Sequence, residues 1–174
     1  MSFTMKKYFL PLTACFALLA GCLETENKAG EFTGNESTYP LAAGSDYAVY
    51  GHVIFKERTD GSTLAVVQVS GTEGNQLHPV HLHRGDIATP DAEIALLMNP
   101  VQGATGRSET LIRRLADETP VTYADLIAMN ASVKIHLAES GPERDIILAA
   151  GNIGTAYTRP DGRMGAEIAV CKSE

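Results

Sequence analysis

Short segments rich in β-branched and aromatic residues, separated by turn-forming residues, recur along the chain from Tyr47 onward. In the clearest of them, Ser132–Ala138, branched apolar residues alternate strictly with Lys134, His136 and Ala138. Because successive side chains of a strand point to opposite faces, a period of two is typical of a β-strand. Short strands at regular spacing, bounded by Gly, Pro and Asp turns, predict a mainly all-β fold, an antiparallel sandwich or barrel.

The other predicted elements follow from equally local signals. Tyr47–Phe55 and Thr63–Val69 are expected to form a hairpin, because Thr59–Ser62 between them has Asp-Gly at its centre. A helix is predicted over Thr122–Met129, where Thr122 is a suitable cap. Four further segments are predicted to be strands: Leu77–His83, Ala92–Met98, Asp145–Ala150 and Ala166–Val170. Thr110–Leu115 fits either a strand or the start of a helix.

One predicted strand is rich in histidine. The run His-Pro-Val-His-Leu-His at His78–His83 holds three of the five histidines of the chain. In an extended strand His81 and His83 point the same way, and two imidazoles on a stiff backbone form half of a copper or zinc site. His136, on the polar face of its own strand, offers a third imidazole if the two strands are neighbours. The alternative for His81 and His83 is two partly exposed histidines on a sheet edge.

The first 21 residues have the pattern of a bacterial lipoprotein signal peptide. Lys6 and Lys7 form a basic n-region, and Tyr8–Leu19 is mostly apolar but too short to span a bilayer. The segment ends in Leu-Ala-Gly-Cys, a lipobox in which the thiol of Cys22 receives the lipid. The alternative is a secretory peptide or N-terminal anchor with a chance cysteine. Lipidation of Cys22 predicts a protein of the cell envelope that is anchored in the lipid bilayer.

Cleavage before Cys22 leaves a predicted mature chain of residues 22–174. Residues 22–46 contain few large apolar side chains, which indicates a flexible tether. Residues 47–174 suffice for one domain with its own core. Leu23 is not the aspartate that usually retains lipoproteins at the inner membrane, so the outer membrane is expected in a bacterium with two membranes.

The predicted mature chain is strongly acidic. Without Lys6 and Lys7 it has 12 basic residues against 21 acidic ones, a net charge of −9. This balance argues against nucleic acid and other polyanions as partners. Cys171 is the one thiol left once Cys15 has gone with the signal peptide and Cys22 carries lipid, so no intramolecular disulfide is expected.

The ordered set of segments around the histidines resembles a known family. Upstream it consists of Gly51–Phe55, the Asp60-Gly61 turn, Leu64–Gly71 and Leu77–Asp86, and downstream of Val133–His136 and Leu148–Gly154. Together they resemble the two ends of a Cu/Zn superoxide dismutase domain. The central part, which includes His81–Gly85, Ala92–Leu97 and Tyr123–Ile127, is similar to the CHRD domain of bacterial exported proteins. The resemblance covers Tyr50 to Gly154 and implies a Greek-key β-sandwich or barrel.

The resemblance also implies a set of metal ligands, with clear departures from the dismutases. His81, His83 and His136 correspond to copper ligands, and His78 is considered as a fourth although its counterpart is structural. Between His83 and His136 the chain has no histidine, so the bridging and zinc histidines are missing and no zinc site is expected. The dismutase disulfide is absent, and Ile147 stands about where the closing strand of a dismutase has an arginine.

Three functional hypotheses follow. The leading one is a lipid-anchored, CHRD-like binding domain without catalytic residues, which holds one copper ion through His81, His83 and His136. The second is an enzyme, a copper-only superoxide dismutase, against which the missing bridging histidine counts. The third is a structural or adhesive envelope module that binds no metal. The sequence contains no Ser-His-Asp arrangement, phosphate loop or paired-carboxylate signature that would point to another chemistry.

Overall fold

A computed structural model describes Met1, residues 30–158 and residues 168–169. The predicted signal peptide, the lipidation site Cys22 and the thiol of Cys171 lie outside these residues. So does most of the predicted last strand, Ala166–Val170, of which the two described residues belong to no strand.

The described residues form eight β-strands and three short helical segments. The strands are β1 Phe32–Ala43, β2 Tyr50–Arg58, β3 Thr63–Ser70, β4 Leu77–Arg84, β5 Ile94–Gln102, β6 Arg107–Ile112, β7 Asn130–His136 and β8 Ile147–Ile153. The helices are α1 Tyr123–Ala128, α2 Gly154–Thr158 and a 3₁₀ helix at Pro142–Asp145. Within the described residues, no helix has the length and apolar character needed to cross a bilayer.

The strands close into an antiparallel barrel in the order β1-β2-β3-β6-β5-β4-β7-β8. β4, β5 and β6 are consecutive neighbours, and β7 returns to lie beside β4, which is a Greek-key arrangement. Each described strand has a neighbour on both sides, but the β1–β8 seam is paired only at Ala42 and Ala43 and the β5–β6 seam only at Gln102. The predicted antiparallel all-β fold, with one or two short helices in its connections, is confirmed.

The hairpin predicted near the start of the domain is confirmed. β2 and β3 pair along their whole length, from Tyr50 opposite Ser70 to Glu57 opposite Thr63. Gly61 in the turn between them has a φ of +79°, a left-handed conformation that glycine adopts without steric cost. The Asp-Gly signal in the sequence therefore located the turn correctly.

Two further expectations are settled by local contacts. The segment Thr110–Leu115, which fitted either a strand or a helix, begins as a strand, because β6 pairs with β3 from Arg107 to Ile112, and its last three residues belong to neither. The predicted helix is confirmed as α1. Its N-terminus has a reciprocal cap, in which Thr122 Oγ1 accepts from the Asp125 N–H at 3.3 Å and Asp125 Oδ2 accepts from the Thr122 N–H at 2.9 Å.

The flexible tether expected over residues 22–46 is wrong where the structure describes it. β1 pairs with β2, with Glu36 opposite Lys56, and meets β8 at its other end, with Ala42 opposite Ala150. Only Tyr39 and Leu41 of its twelve residues are buried. The composition of this strand does not distinguish it from a flexible segment, because few of its side chains are apolar. Its pairing with β2 and β8 is what makes it part of the barrel. The domain therefore begins before Tyr47.

The main core fills the inside of the barrel. Inward-facing side chains of successive strands pack there, among them Val53, Phe55, Ala65, Val67, Val80, Leu82, Val133 and Ile135. The Tyr39 ring stands edge-on to Phe55 at 6.1 Å and to Tyr157 at 5.3 Å between ring centroids, so that β1 and α2 are joined to the same core. Side chains at the alternate positions of β4 and β7 point outward, which places His81, His83 and His136 on the outer face of the barrel.

Candidate metal centre

The two strands that carry the candidate ligands are neighbours. β4 pairs antiparallel with β7, with His81 opposite Lys134 and His83 opposite Ser132. His136 lies two residues beyond Lys134 on the same face of β7. The adjacency on which the sequence analysis depended is thus confirmed, and the structure brings His81, His83 and His136 together. We call these three residues the histidine triad.

The rings of the triad are close enough to share one ion. One ring nitrogen from each residue lies within 4.8 Å of the other two. Ring centroids are 4.6 Å apart for His81 and His136, 5.7 Å for His81 and His83, and 6.3 Å for His83 and His136. Three atoms at such spacing lie within about 3 Å of a common point, and imidazole–metal bonds are about 2.0–2.1 Å long. Ring movements on the order of 1 Å would complete the coordination.

Backbone carbonyls fix the protonation of two of the rings. Nδ1 of His83 lies 2.9 Å from the carbonyl oxygen of Ala92, in the connection from β4 to β5. Nδ1 of His136 lies 2.8 Å from the carbonyl oxygen of Arg144, in the 3₁₀ helix before β8. A carbonyl oxygen only accepts, so both Nδ1 atoms donate and both Nε2 atoms of the neutral rings keep a lone pair. Metal-binding histidines are typically oriented by such an outer hydrogen bond.

Two ring nitrogens of the triad have no protein partner among the described residues. His81 Nδ1 and His136 Nε2 are buried and make no hydrogen bond there. A buried polar atom without a partner costs about 1–3 kcal/mol and is rare in native structures. An ion bound between the rings would satisfy both lone pairs at once. The donor set of the triad therefore fits a metal ion.

All three rings are held in the neutral form. Burial is the main reason why the pKa of His81 falls to about 3 and that of His83 to about 4. Burial also lowers the pKa of His136. The carbonyls of Ala92 and Arg144 oppose this effect at His83 and His136 respectively, but they do not reverse it. Neutral imidazole is the form that binds metals, so the triad is ready for a ligand role at neutral pH.

His78, considered as a fourth ligand, is not part of the triad. His78 and His81 are three positions apart, and successive side chains of a strand alternate between faces, so the two rings are not expected on the same face. Its Nδ1 bonds to the carbonyl oxygen of Leu137 at 3.1 Å, which is a structural contact near one end of the barrel. Among the described residues, the candidate metal group consists of His81, His83 and His136.

The outer face around the triad is buried, which the sequence analysis missed. Ile87, in the connection after β4, packs with Ile147 and Ala150 of β8 and with Ile168 to form a second small apolar cluster. The Ile87 N–H donates to Asn152 Oδ1 at 2.7 Å, which holds the connection against β8. The signal in the sequence was the continuous apolar run of β8, which is typical of a strand buried on both faces.

One side of the triad remains open to solvent. The solvent-accessible surface of His81 is 9% of that of a fully exposed histidine. The residue lines a cleft of about 180 Å³ together with Leu77, Pro79, Leu97 and Glu139. His83 is fully buried, so the cleft reaches the triad at His81. An ion that enters from solvent therefore meets His81 first.

Comparison of the chain with protein-family models, with curated proteins and with solved structures finds no match in any of the three. The candidate centre is thus defined by its own geometry. It consists of three buried, neutral imidazoles on two neighbouring strands, with one of them at an open cleft.

Proposed function

We propose that the protein is a lipid-anchored envelope protein whose CHRD-like barrel holds one copper ion through His81, His83 and His136. The observation that carries the proposal is the triad, whose three ring nitrogens lie within 4.8 Å of one another. Two of the rings have buried nitrogens without a protein partner among the described residues. Imidazole suits copper, and copper bound there would serve storage, delivery or protection of the envelope.

Copper is favoured over zinc by two considerations. The sequence resembles dismutase-related domains at its copper histidines but lacks their zinc loop, and no carboxylate or thiolate of the described residues joins the triad. For a given site with nitrogen donors, divalent copper also binds more tightly than zinc in the usual order of stabilities.

The copper proposal is tested by titration of the purified full-length protein, kept in detergent, with copper(I) and copper(II). We expect one equivalent to bind. Chelator treatment of the loaded protein should lower its thermal midpoint, because an ion that binds only the folded state adds about 2.7 kcal/mol of stability at a free concentration of 100 times its Kd. Binding no tighter than that of a surface histidine pair, with no change in the thermal midpoint, would contradict the proposal.

The envelope anchor is the second part of the proposal and is supported by the lipobox that ends at Cys22. In cells of the producing bacterium, the protein should be recovered with the membrane fraction, and Cys22→Ser should move it to the soluble or secreted fraction. Cys171→Ser is the matched control and should leave the protein in the membrane fraction. Soluble wild-type protein would rule out the anchor.

A second candidate function is enzymatic, a copper-only dismutase. The open cleft at His81 favours it, because a redox enzyme needs an open coordination position that its substrate can reach. The three-residue composition of the triad and the absence of a bridging histidine count against it. A superoxide dismutation assay on the copper-loaded protein separates the enzyme from the copper holder. The third candidate, a metal-free structural module, leaves the buried unpaired nitrogens unexplained.

A further inference from the structure

A second cavity opens at one end of the barrel, and its lining includes no residue of the histidine triad. Its volume is about 170 Å³, which is room for several water molecules or for a small organic molecule of similar bulk. The lining comes from the connection before β2, from the connection between β3 and β4 with the start of β4, and from Leu137 and Leu148 at the facing ends of β7 and β8. The buried ring of His78, which the triad does not use, is part of this lining.

His78 offers an unused acceptor to the cavity. Its Nδ1 lies 3.1 Å from the carbonyl oxygen of Leu137, and because a carbonyl only accepts, Nδ1 carries the proton of the neutral ring. Nε2 therefore keeps its lone pair, and it makes no hydrogen bond with the described residues. Since the residue exposes 5% of its surface and lines the cavity, a ligand in the cavity can supply the missing donor.

The segment that leads to His78 supplies further acceptors. Gln76 Nε2 donates to the same Leu137 carbonyl at 2.9 Å, which leaves Gln76 Oε1 as an acceptor. Glu73 in the same connection adds an exposed carboxylate, which forms no ion pair or hydrogen bond within the described part of the chain. No lysine or arginine among the described residues lines the cavity, so the lining carries a negative charge without a cation beside it.

Much of the remaining lining is apolar. Val49, Leu137 and Leu148 contribute aliphatic side chains from the other parts of the chain that meet at the cavity. The half-exposed Tyr47 adds an aromatic ring, and the face of such a ring attracts cations. The two kinds of lining together suit a ligand that has one positively charged, hydrogen-bond-donating end and an apolar remainder.

We propose that this cavity binds a small organic molecule with a primary ammonium group. An alkylammonium has three N–H donors and no acceptor, which matches the acceptors on His78, Gln76 and Glu73. Its short apolar part packs against the aliphatic side chains of the lining. A calcium ion fits less well, because it takes about six to eight oxygen ligands and the lining contains a single carboxylate. The site does not depend on a metal at the triad.

The test uses n-butylammonium as the probe and 1-butanol as its uncharged counterpart of the same size. Full-length protein in detergent is first treated with chelator, so that the amine cannot bind to a metal at the triad. It is then titrated with each compound, and NMR chemical shifts of the amides of Gly71 and Thr72, which line the cavity, report binding. We expect saturable shifts and an affinity for butylammonium at least about tenfold higher than for 1-butanol, because hydrogen bonds from a charged donor are about twice as strong as neutral ones.

Two variants locate the ammonium group. Glu73→Gln removes the charge and keeps the size of the side chain, and it should weaken butylammonium binding by about fivefold. His78→Asn keeps a donor for the Leu137 carbonyl but withdraws the acceptor from the cavity, and it should weaken binding by about tenfold.

Glu118→Gln is the matched control and should bind butylammonium like the wild type. Glu118 follows β6, whose last residue pairs with the first residue of β3, whereas the cavity lies beyond the last residue of β3. The two glutamates are thus near opposite ends of the barrel, and both are exposed.

Three results would overturn the inference. Without saturable shifts at Gly71 and Thr72, the cavity binds no amine. Equal affinity for butylammonium and 1-butanol would mean that the ammonium group is not recognised. Equal affinity of Glu73→Gln and Glu118→Gln for butylammonium would place the amine elsewhere. If His78→Asn does not fold, the comparison of the two glutamate variants decides the inference, and every outcome leaves the copper proposal as it stands.

Discussion

Replacing His83 by alanine should abolish copper binding. His83 is the most deeply buried member of the triad, and its loss leaves two imidazoles on different strands. The hydrogen-bond partners of metal ligands are by themselves worth about 10- to 100-fold in affinity, so removal of a ligand should cost at least a hundredfold. Isothermal titration with copper(I) and copper(II) measures the change.

The variant needs controls, because His83 also bonds to the carbonyl of Ala92. His52→Ala is the matched substitution outside the triad, since His52 lies on β2 opposite Gln68, and it should bind one copper like the wild type. His81→Gln removes the ligand that faces the cleft and disturbs the packing least. Unchanged copper affinity in both His83→Ala and His81→Gln, with both variants folded by circular dichroism, would exclude the triad as the binding site.

The sequence predicted the triad because two of its determinants are local. Alternation along one strand puts His81 and His83 on the same face, and alternation along another puts His136 on the polar face of that strand. The missing step was the pairing of the two strands, which depends on contacts distant in sequence. The resemblance to dismutase-related domains supplied that step as an expectation, and the β4–β7 ladder confirms it.

Burial of the triad was not predictable from the same pattern. Lys134 and His136 alternate with apolar residues, which indicates a solvent-exposed face, yet both are buried. The connection that carries Ile87 packs on this face together with Ile168, and the 3₁₀ helix Pro142–Asp145 contacts His136 through the carbonyl of Arg144. Such connections follow no periodicity, so their path over a sheet cannot be inferred from alternation.

The carbonyl groups that orient the triad and the strand β1 could not be predicted from the types of residue involved. The carbonyls that orient His83 and His136 belong to Ala92 and Arg144, and any residue type supplies a carbonyl. β1 carries only two buried side chains, Tyr39 among them, so its composition indicated a tether. Its assignment depends on its hydrogen bonds with β2 and β8, which are properties of the closed barrel.

Acidification should destabilise the metal-free protein well above the pH at which carboxylates titrate. The pKa of His81 is about 3 and that of His83 about 4 in the folded protein, against an unfolded value of about 6.5. Between these limits the unfolded chain binds more protons than the folded one. The stability from neutral burial is therefore complete above pH 6.5 and is lost as the pH falls toward 4.

The size of the effect can be measured by urea unfolding of chelator-treated protein at several pH values from 7 to 5. Each of the two histidines should contribute a slope of up to about 1.4 kcal/mol per pH unit over this window. Carboxylates with a lowered folded pKa, such as Asp60 and Asp117, lose their contribution only below about pH 4, so they do not interfere. The free energy of unfolding should therefore fall steeply before the lowered pKa values of Asp60 and Asp117 are reached.

Two variants assign the slope to the triad. His81→Gln removes one of the three histidines whose pKa is lowered by burial, and that with the lowest printed pKa, so it should flatten the dependence, whereas His52→Ala should leave it as in the wild type. A free energy of unfolding that stays constant from pH 7 to 5 would mean that the buried rings accept protons without unfolding the barrel. In that case the triad is more open to water than its geometry indicates. A protein loaded with copper should resist acid further, because each proton must then displace the ion before it can reach a ring nitrogen.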